Sequence, residues 1–411
     1  MAGRSLATHI GGGRTRRLLT IALPAALIAA LVGVCAVEVW VRATWDTRKG
    51  RPGFFISDPA RGQRLAAGYD GWFAGVPVHI NSLELRDSRE YLLEKGPGVF
   101  RVLVLGDSVT FGHGSVYEHT YPFLLEQQLR RWRPDINWQV WNAAVPGYNT
   151  SQELAHLLEV GDRFKPDLVV VGFFSNDLSD NHAVRAARRS EILAARLTSF
   201  IRRHLYSFEF YKRAYLTLRW RLSGQKEDRL RAEHVDTERE LLTANDLSAA
   251  PAQRLTAFDR LTDDQVRQFD CTYGMKANPN TIPAIERDPG FPAWLDAVHG
   301  FQSLARSGRF RIVFFLNDAP AICGTDPESD FFYDGGTMAE DRFYLRVIGD
   351  QLPAISTYDA LMHVRPSQMP GVTGHSLGNT NVVKAEVLFD FLRTQLQSTL
   401  LSRNETPRRG N

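Results

Sequence analysis

The stretch VLVLGDSVTFG at residues 102–112 decides the fold. Its unbroken aliphatic half is typical of a strand that is buried on both faces of a parallel sheet. The residues that follow, up to Leu129, have the pattern of a helix. Ser108 then lies just past the carboxyl end of the strand, where open α/β sheets bind ligands and place reactive groups. This stretch alone leaves two interpretations open: Ser108 is a nucleophile, or it caps the next helix together with Asp107.

Four more short apolar runs follow this first one, and amphipathic segments separate the five runs. The runs predict strands at Phe100–Leu105, Trp138–Trp141, Leu168–Phe174, Arg311–Leu316 and Ala354–Thr357. The helical patterns lie at Tyr121–Arg131, Ser151–Asp162, Pro292–Ser307, Met338–Asp350 and Asn381–Ser398. Because strands and helices alternate, residues 99–398 are predicted to form a three-layer α/β/α domain with a five-stranded parallel sheet.

The rest of the chain is less regular. Residues 183–290, between the third and fourth strands, are predicted to be a largely helical insertion, because their length exceeds what one crossover needs. The insertion begins with a basic section, for which a solvated helical surface is favoured over a lid, a membrane contact or an acidic-ligand site. Residues 42–98 carry several Gly and Pro residues and predict a partly ordered linker and lead-in. Residues 399–411 are predicted to be a disordered tail.

The composition is that of an ordinary globular protein apart from the N-terminus. The 411 residues are 44% hydrophobic and 23% charged, with a net charge of +3 that is spread along the chain. This distribution argues against a nucleic-acid partner. Residues 18–37 are uncharged and almost wholly apolar, and residues 18–41 predict a transmembrane helix. A cleaved signal peptide is the alternative, but the apolar run is long and no clean Ala-x-Ala site follows it.

Basic residues before the apolar run predict its orientation. Arg14, Arg16 and Arg17 precede it, so the positive-inside rule puts residues 1–17 in the cytoplasm and everything from about Arg42 in the periplasm or another extracytoplasmic space. Of the three cysteines, Cys35 lies within the span. Cys271 and Cys323 lie in the exported part, where a disulfide could persist. Two free buried thiols are the alternative, and the bridge is slightly favoured.

Three distant segments supply what a nucleophilic serine at position 108 would need. Gly147 follows the second strand in a Pro-Gly turn, and its backbone N–H could approach a substrate oxygen closely. Asn176 follows the third strand, where its side-chain amide could donate to an oxyanion. His375 precedes the last helix and could act as general base. Taken singly, each is weak evidence: a plain Pro-Gly turn is favoured for Gly147, a turn or helix cap also explains Asn176, and His375 could be a helix-capping or surface histidine.

Taken together, these blocks resemble the SGNH (GDSL) hydrolase family, over roughly residues 75–395. The segment NSLELRD at residues 81–87 is also similar to the lead-in of membrane-anchored bacterial members. The resemblance implies an SGNH, flavodoxin-like fold with Ser108 as nucleophile and His375 as general base. It also implies that the Ser108 N–H, the Gly147 N–H and the Asn176 side chain form an oxyanion hole. It implies acyl transfer without a metal or cofactor.

One position departs from the family pattern. Members usually carry an acidic residue three positions before the histidine, which orients the imidazole, and here that position is Val372. A backbone carbonyl could orient the ring instead, although loss of a triad orienter can be costly. Asp359 is a candidate orienting acid, and His363 is a rival base. His375 is preferred because Asn381 and Ala385 continue the family's terminal-helix pattern.

These observations predict a membrane-anchored, exported serine esterase that acts on carboxylic esters through an acyl-enzyme. A glycan or a lipid is the expected carrier of the ester. The alternative enzyme is an O-acyltransferase that modifies a cell-surface polysaccharide. A non-catalytic alternative is an SGNH binding domain that has lost turnover, with Val372 as the trace of that loss.

Overall fold

The computed structural model of the protein describes residues 22–45, 51–179, 181, 184–185, 187–223, 281–318, 322–323, 332–333, 335–362, 371–372 and 375–404. Cys271, His363 and residues 405–411 of the predicted tail lie outside the described residues, and only the backbone of Cys323 is described. The predicted disulfide therefore stays a prediction.

The strands begin in the lead-in and continue through the domain. They are β1 (Phe55–Asp58), β2 (Gly62–Leu65), β3 (Asp70–Phe73), β4 (Val76–His79), β5 (Val99–Gly106), β6 (Asn137–Asn142), β7 (Leu168–Phe173), β8 (Ile312–Leu316), β9 (Ile322–Cys323), β10 (Phe332–Tyr333), β11 (Ala354–Ser356), β12 (Gly371–Val372) and β13 (His375–Ser376).

The helices begin with the apolar N-terminal segment. They are α1 (Leu23–Thr44), α2 (Ser108–Phe111), α3 (Tyr121–Trp132), α4 (Thr150–Phe164), α5 (Asn176–Ser179), α6 (Arg189–His204), α7 (Ser207–Ser223), α8 (Thr281–Glu286), α9 (Phe291–Arg306), α10 (Gly335–Gly349), α11 (Tyr358–Met362) and α12 (Asn379–Asn404). A single 3₁₀ turn, Tyr117–His119, precedes α3.

The main sheet has five parallel strands in the order β11-β8-β7-β5-β6. This is the flavodoxin-like order, in which the first strand lies between the second and the third. Every residue of β7 and β8 is buried, because helices cover both faces and each strand is a continuous apolar run. The predicted fold is confirmed, and each strand lies within two residues of its predicted bounds.

Two apolar cores lie on opposite faces of the sheet. One contains Trp141, Trp294 and Phe301, with α4 and α9 packed over it. The other contains Tyr121 and Leu388, with α3 and α12 packed over it. Burying one such large side chain stabilises the fold by about 1.5–3 kcal/mol relative to leaving that side chain exposed. The strand order and the two cores fix which side chains meet at the carboxyl edge of the sheet.

The lead-in has more regular structure than the sequence predicts. Strands β1 and β2 form one antiparallel hairpin, and β3 and β4 form another. Their apolar residues pack with Phe111, Val145 and Tyr148 into a third core. These strands were not predicted because each is four residues long and is joined to its partner by a tight turn. The lead-in is therefore packed directly against the residues that follow β5 and β6.

Helix α1 is long and apolar enough to cross a membrane. Its 22 residues span about 33 Å at 1.5 Å per residue, and only 6% of its most apolar window is buried within the protein. A signal sequence near the N-terminus can also meet this criterion of length and composition.

Candidate active site

Ser108 lies at a sharp turn between a buried strand and a short helix. The side chain of Asp107 caps α2 and accepts a hydrogen bond from the Val109 N–H at 2.8 Å. Gly112 ends the helix with φ +86°, and its N–H donates to the carbonyl of Ser108 at 3.0 Å. The half-buried Ser108 is thus the first residue of α2. Cap and reactive position, which the sequence left as alternatives, therefore involve different side chains: Asp107 caps the helix, and the Ser108 hydroxyl, which donates to Asp107 Oδ2 at 3.4 Å, does not.

Two glycines let this turn lie close to the sheet. Gly106 and Gly172 are register partners on β5 and β7. A Cβ on either residue would lie 2.2 Å from Thr110 Oγ1, a distance that no real side chain tolerates. Since β5 and β7 meet where the strand order reverses, Ser108 lies at the switch point where doubly wound sheets bind their ligands.

His375 reaches the serine from the opposite end of the chain. His375 Nε2 lies 2.9 Å from Ser108 Oγ, which is hydrogen-bonding distance for a nucleophile and its general base. The histidine begins β13, and Cα pairing in this short antiparallel ladder places it opposite Val372. The structure therefore brings together the predicted nucleophile and the predicted base, 267 residues apart.

The buried Asn381 hydrogen-bonds both to the strand that carries His375 and to the loop that follows Ser108. Asn381 Nδ2 donates to the carbonyl of Ser376 at 3.1 Å and to Ser115 Oγ at 3.2 Å. Ser376 is the neighbour of His375, and Ser115 follows the turn that ends α2. The asparagine that marked the terminal-helix pattern in the sequence therefore joins the two halves of the pair.

Gly147 lies in the turn after β6, next to the serine turn. The Val145 N–H donates to the carbonyl of Gly106 at 2.9 Å, which ties this loop to the end of β5. Gly147 itself is exposed and has φ +80°, a conformation that favours glycine. Gln63 of β2 supports the turn, because its Nε2 donates to the carbonyl of Pro146 at 2.8 Å.

Asn176 begins α5 after β7 and is exposed. The residue before it is fixed by a buried carboxylate from the end of β8. Asp318 Oδ1 accepts from both the N–H of Ser175 at 3.1 Å and its Oγ at 2.7 Å. The adjacent Asp177 accepts from Thr150 Oγ1 at 3.3 Å. Polar side chains that follow β6, β7 and β8 in the chain thus hydrogen-bond to one another at the carboxyl edge of the sheet.

Buried charges lie directly beneath this edge. Burial raises the pKa of Asp107 to about 6, although two backbone N–H groups and the charge of Lys384 oppose the rise. Burial also raises the pKa of Asp318 to about 6. Burial lowers the pKa of Lys384 to about 8, although both carboxylates favour its charged form. Lys384 Nζ donates to the carbonyl of Asn317 at 2.6 Å. The same buried cation attracts both buried carboxylates, Asp107 and Asp318.

Glu153 and Asp177 extend this acidic group. Burial raises the pKa of each well above its ordinary value, the charge of Asp107 raises both further, and the charge of Glu153 adds to the rise for Asp177. Two carboxylates in one buried site favour a proton on one of them.

Arg86 of the lead-in hydrogen-bonds to backbone carbonyl groups in the turn that follows Ser108. Its guanidinium is fully buried and donates to the carbonyls of Phe111 at 2.5 Å, Gly112 at 2.7 Å and Ser115. Burial lowers its pKa to about 9. The lead-in motif that was similar to membrane-anchored family members thus has a structural role: it holds the C-terminal end of α2.

Of the side chains that could orient the His375 ring, Asp359 pairs elsewhere and His113 contacts the ring. The carboxylate of Asp359 pairs with Arg342 and is 63% exposed. His113 was not predicted, yet its ring stacks on that of His375 with centroids 4.3 Å apart and planes 22° apart. His113 lies five residues after Ser108, just past the glycine that ends α2, and this closeness in sequence was the available signal. Gln63 and Lys384 were also missed, because no local pattern marks either one.

Comparison with known proteins agrees with this geometry. Residues 104–269 match the model of the GDSL-like Lipase/Acylhydrolase family. This part of the chain is therefore similar to GDSL-like lipases and acylhydrolases. The resemblance inferred from the motifs is confirmed. The matched residues include Ser108, Gly147 and Asn176 but end before His375, so only the distance to Ser108 places the histidine at this site.

A curated relative and several solved structures are similar to parts of the chain. An arylesterase from Vibrio mimicus is 35% identical over 77 residues, which are 19% of this chain and 38% of the relative. The chain thus spans about two fifths of that relative's length. A lipase from a goat rumen metagenome is 14% identical, with a TM-score of 0.35 over 71% of this chain and 97% of its own. A variant acetylxylan esterase from Geobacillus stearothermophilus is 12% identical, with a TM-score of 0.33 over 71% and 94%.

Proposed function

We propose that this protein is a membrane-anchored, exported serine esterase that hydrolyses carboxylic esters through an acyl-enzyme. One observation carries the proposal: Ser108 Oγ lies 2.9 Å from His375 Nε2 at the switch point of the sheet. The GDSL-like family match supports the same reaction class. The similarity to an arylesterase over part of its length agrees with an ester substrate.

In the first half of the reaction, Ser108 Oγ attacks the ester carbonyl carbon while His375 Nε2 takes its proton. The carbonyl oxygen becomes an oxyanion, for which the N–H groups of Ser108 and Gly147 and the Asn176 amide are the proposed donors. Collapse of the tetrahedral intermediate breaks the ester C–O bond, and His375 returns the proton to the leaving alcohol. One donor in such a hole contributes about 10²–10³-fold to kcat.

In the second half, water attacks the acyl-serine, His375 accepts its proton, and Ser108 regains the proton as the carboxylic acid leaves. A histidine that gains a proton needs support for its charge. We assign that support to the buried acidic group beneath the site, which includes Asp107, and we assign the ring's position to the stacked His113. In this proposal Asp359 does not orient His375, since its carboxylate pairs with Arg342.

Helix α1 supports the anchored and exported location. It is long and apolar enough to cross a membrane, and Arg14, Arg16 and Arg17 precede it in the sequence. By the positive-inside rule this arrangement keeps the N-terminus in the cytoplasm and the GDSL-like domain outside it.

Hydrolysis of short aryl and alkyl esters tests the activity. Ser108→Ala is expected to lower kcat/KM by roughly 10³-fold or more, because the covalent step needs the hydroxyl. Ser303→Ala, an exposed serine on α9, is the matched control and is expected to keep wild-type activity. Equal activity of Ser108→Ala and wild type would refute the proposal and leave a binding domain as the function. Acetyl gain rather than acetyl release on a polysaccharide would assign an O-acyltransferase instead.

A further inference from the structure

Helix α7, in the insertion, exposes an apolar stripe along its length. Tyr211, Tyr215, Leu218 and Leu222 recur at intervals of four, three and four residues, which places them on one face of the helix. Their exposed fractions are 42, 60, 56 and 79%. Large side chains on a soluble surface are rarely arranged in such a continuous row.

Helix α6 has a second stripe of the same kind. Leu193, Leu197 and Phe200 follow the same spacing and are each more than 60% exposed. The opposite face of α6 packs on β1, where the Ser57 N–H donates to Ser199 Oγ at 2.9 Å. Because one face of α6 is fixed to the domain, its apolar stripe must point away from the domain.

Basic side chains border both stripes. On α6, Arg189, Arg196 and Arg203 recur every seven residues beside the stripe and are exposed. On α7, Lys212 and Arg219 flank one side of the stripe and Arg221 flanks the other. Residues 189–223 carry eight Lys or Arg and two Glu, whereas the whole chain has a net charge of only +3. An apolar face bordered by cations is typical of helices that lie in a bilayer surface.

The corner between the two helices is joined to the end of α1. The carboxylate of Glu38 accepts from the N–H groups of Tyr206 at 3.1 Å and Ser207 at 2.8 Å. Arg42 Nη2 donates to the carbonyl of His204 at 2.6 Å. Glu38 and Arg42 are the first charged residues after the apolar run, so they mark the level at which α1 leaves a bilayer.

Aromatic contacts strengthen this joint. Trp40 of α1 meets Phe210 edge to face at 5.8 Å, and Trp45 meets Tyr206 in the same way at 5.1 Å. Tryptophan and tyrosine are enriched at the membrane–water boundary, where one end of the ring is apolar and the other polar. The start of α7 is therefore held at the depth where an interfacial helix lies.

We propose that α6 and α7 form an amphipathic hairpin on the outer surface of the membrane. Their apolar stripes would enter the boundary between headgroups and acyl chains, and the flanking arginines and lysine would contact anionic phospholipid headgroups. The inference rests on the proposed anchoring by α1 and deepens it, since the domain is then held to the bilayer by a second, charge-dependent contact. Each basic side chain near an anionic surface strengthens such binding about fivefold.

Photocrosslinking of the full-length protein in lipid nanodiscs tests this arrangement. p-Benzoylphenylalanine is placed in turn at position 31 of α1, at positions 193 and 215 of the two stripes, and at position 92. Leu92 is the matched control, because it is 81% exposed on the lead-in. We expect phospholipid adducts at positions 31, 193 and 215 and none at 92. The yields at 193 and 215 are expected to fall several-fold when phosphatidylglycerol is omitted, whereas the yield at 31 stays constant.

The outcomes separate the two proposals. An absence of lipid adduct at position 31 would overturn the anchoring by α1. Adducts at 31 without adducts at 215 and 193 would overturn the hairpin alone. A crosslink from 215 within the same chain would show that another segment covers the stripe, and a crosslink to a second copy would show self-association. Both of those results would refute the membrane contact.

Discussion

Lys384 offers a sharp test of the electrostatics beneath the active site. It is buried on α12, and its charge faces Asp107 and Asp318, whose pKa values burial raises to about 6. In the variant Lys384→Met, both carboxyls lose a cation that favours their charged forms, so the pKa of each must rise further. A carboxyl whose folded pKa exceeds its unfolded value lowers the free energy of unfolding as pH increases, because the folded state binds more protons.

The size of the effect follows from linkage. A rise of one unit in the folded pKa of one carboxyl, from about 6 to about 7, lowers the free energy of unfolding by about 1 kcal/mol at pH 7 and by almost nothing at pH 5. Two carboxyls give about 2 kcal/mol. Lys384 itself adds no slope in this window, because it is charged in the unfolded state and mostly charged in the folded state, where its pKa is about 8.

Thermal unfolding of the full-length protein in non-ionic detergent, followed by tryptophan fluorescence, measures this difference. Between about pH 5 and pH 7 the Tm of Lys384→Met is expected to fall about 4 °C further than that of the wild type. The double variant Lys384→Met/Asp318→Asn is the control. Its additional fall in Tm between about pH 5 and pH 7 should be about half as large, because only one of the two carboxyls is left. The same pH dependence in wild type and Lys384→Met would refute the reasoning.

Three further substitutions test other parts of the site. Arg86→Lys keeps the charge but loses donors to three carbonyls, and we expect urea unfolding to report a loss of about 3 kcal/mol; a loss below 1 kcal/mol would contradict its role. Gly112→Ala puts a Cβ 2.4 Å from Thr120 Cγ2 at φ +86°, so Tm and esterase activity should both fall, and unchanged values would count against the turn geometry. Asp359→Asn should keep kcat/KM within about twofold, because its carboxylate pairs with Arg342; a loss of 10³-fold would make it the orienting acid.

The sheet could be predicted from the sequence because its strands are buried on both faces. Runs such as Leu168–Phe173 are apolar throughout, and the burial that stabilises them is the pattern that reveals them. Ser108 could be predicted as a site residue because it directly follows such a strand, β5. His375 could be predicted because it lies just before the last helix, α12. The hairpins of the lead-in could not, since strands of four residues with exposed positions have no distinctive period.

The support of the site could not be predicted for a different reason. His113, Gln63 and Lys384 act through contacts between distant segments, and a single sequence contains no trace of such a contact. Arg86 belonged to a segment that resembled the family, but its bonds to the carbonyls after α2 depend on the packing of the lead-in. The position of Val372 opposite His375 is likewise a property of the ladder and not of the spacing.

The rate at which a serine-reactive fluorophosphonate labels Ser108 tests the central claim most directly. Mass spectrometry of peptides from the wild-type protein should locate the adduct on Ser108, and the labelling rate should fall by roughly 10³-fold in His375→Ala because the base is gone. Asp359→Asn should be labelled at the wild-type rate. An adduct on another serine, or equal labelling of His375→Ala and wild type, would contradict a nucleophile activated by His375.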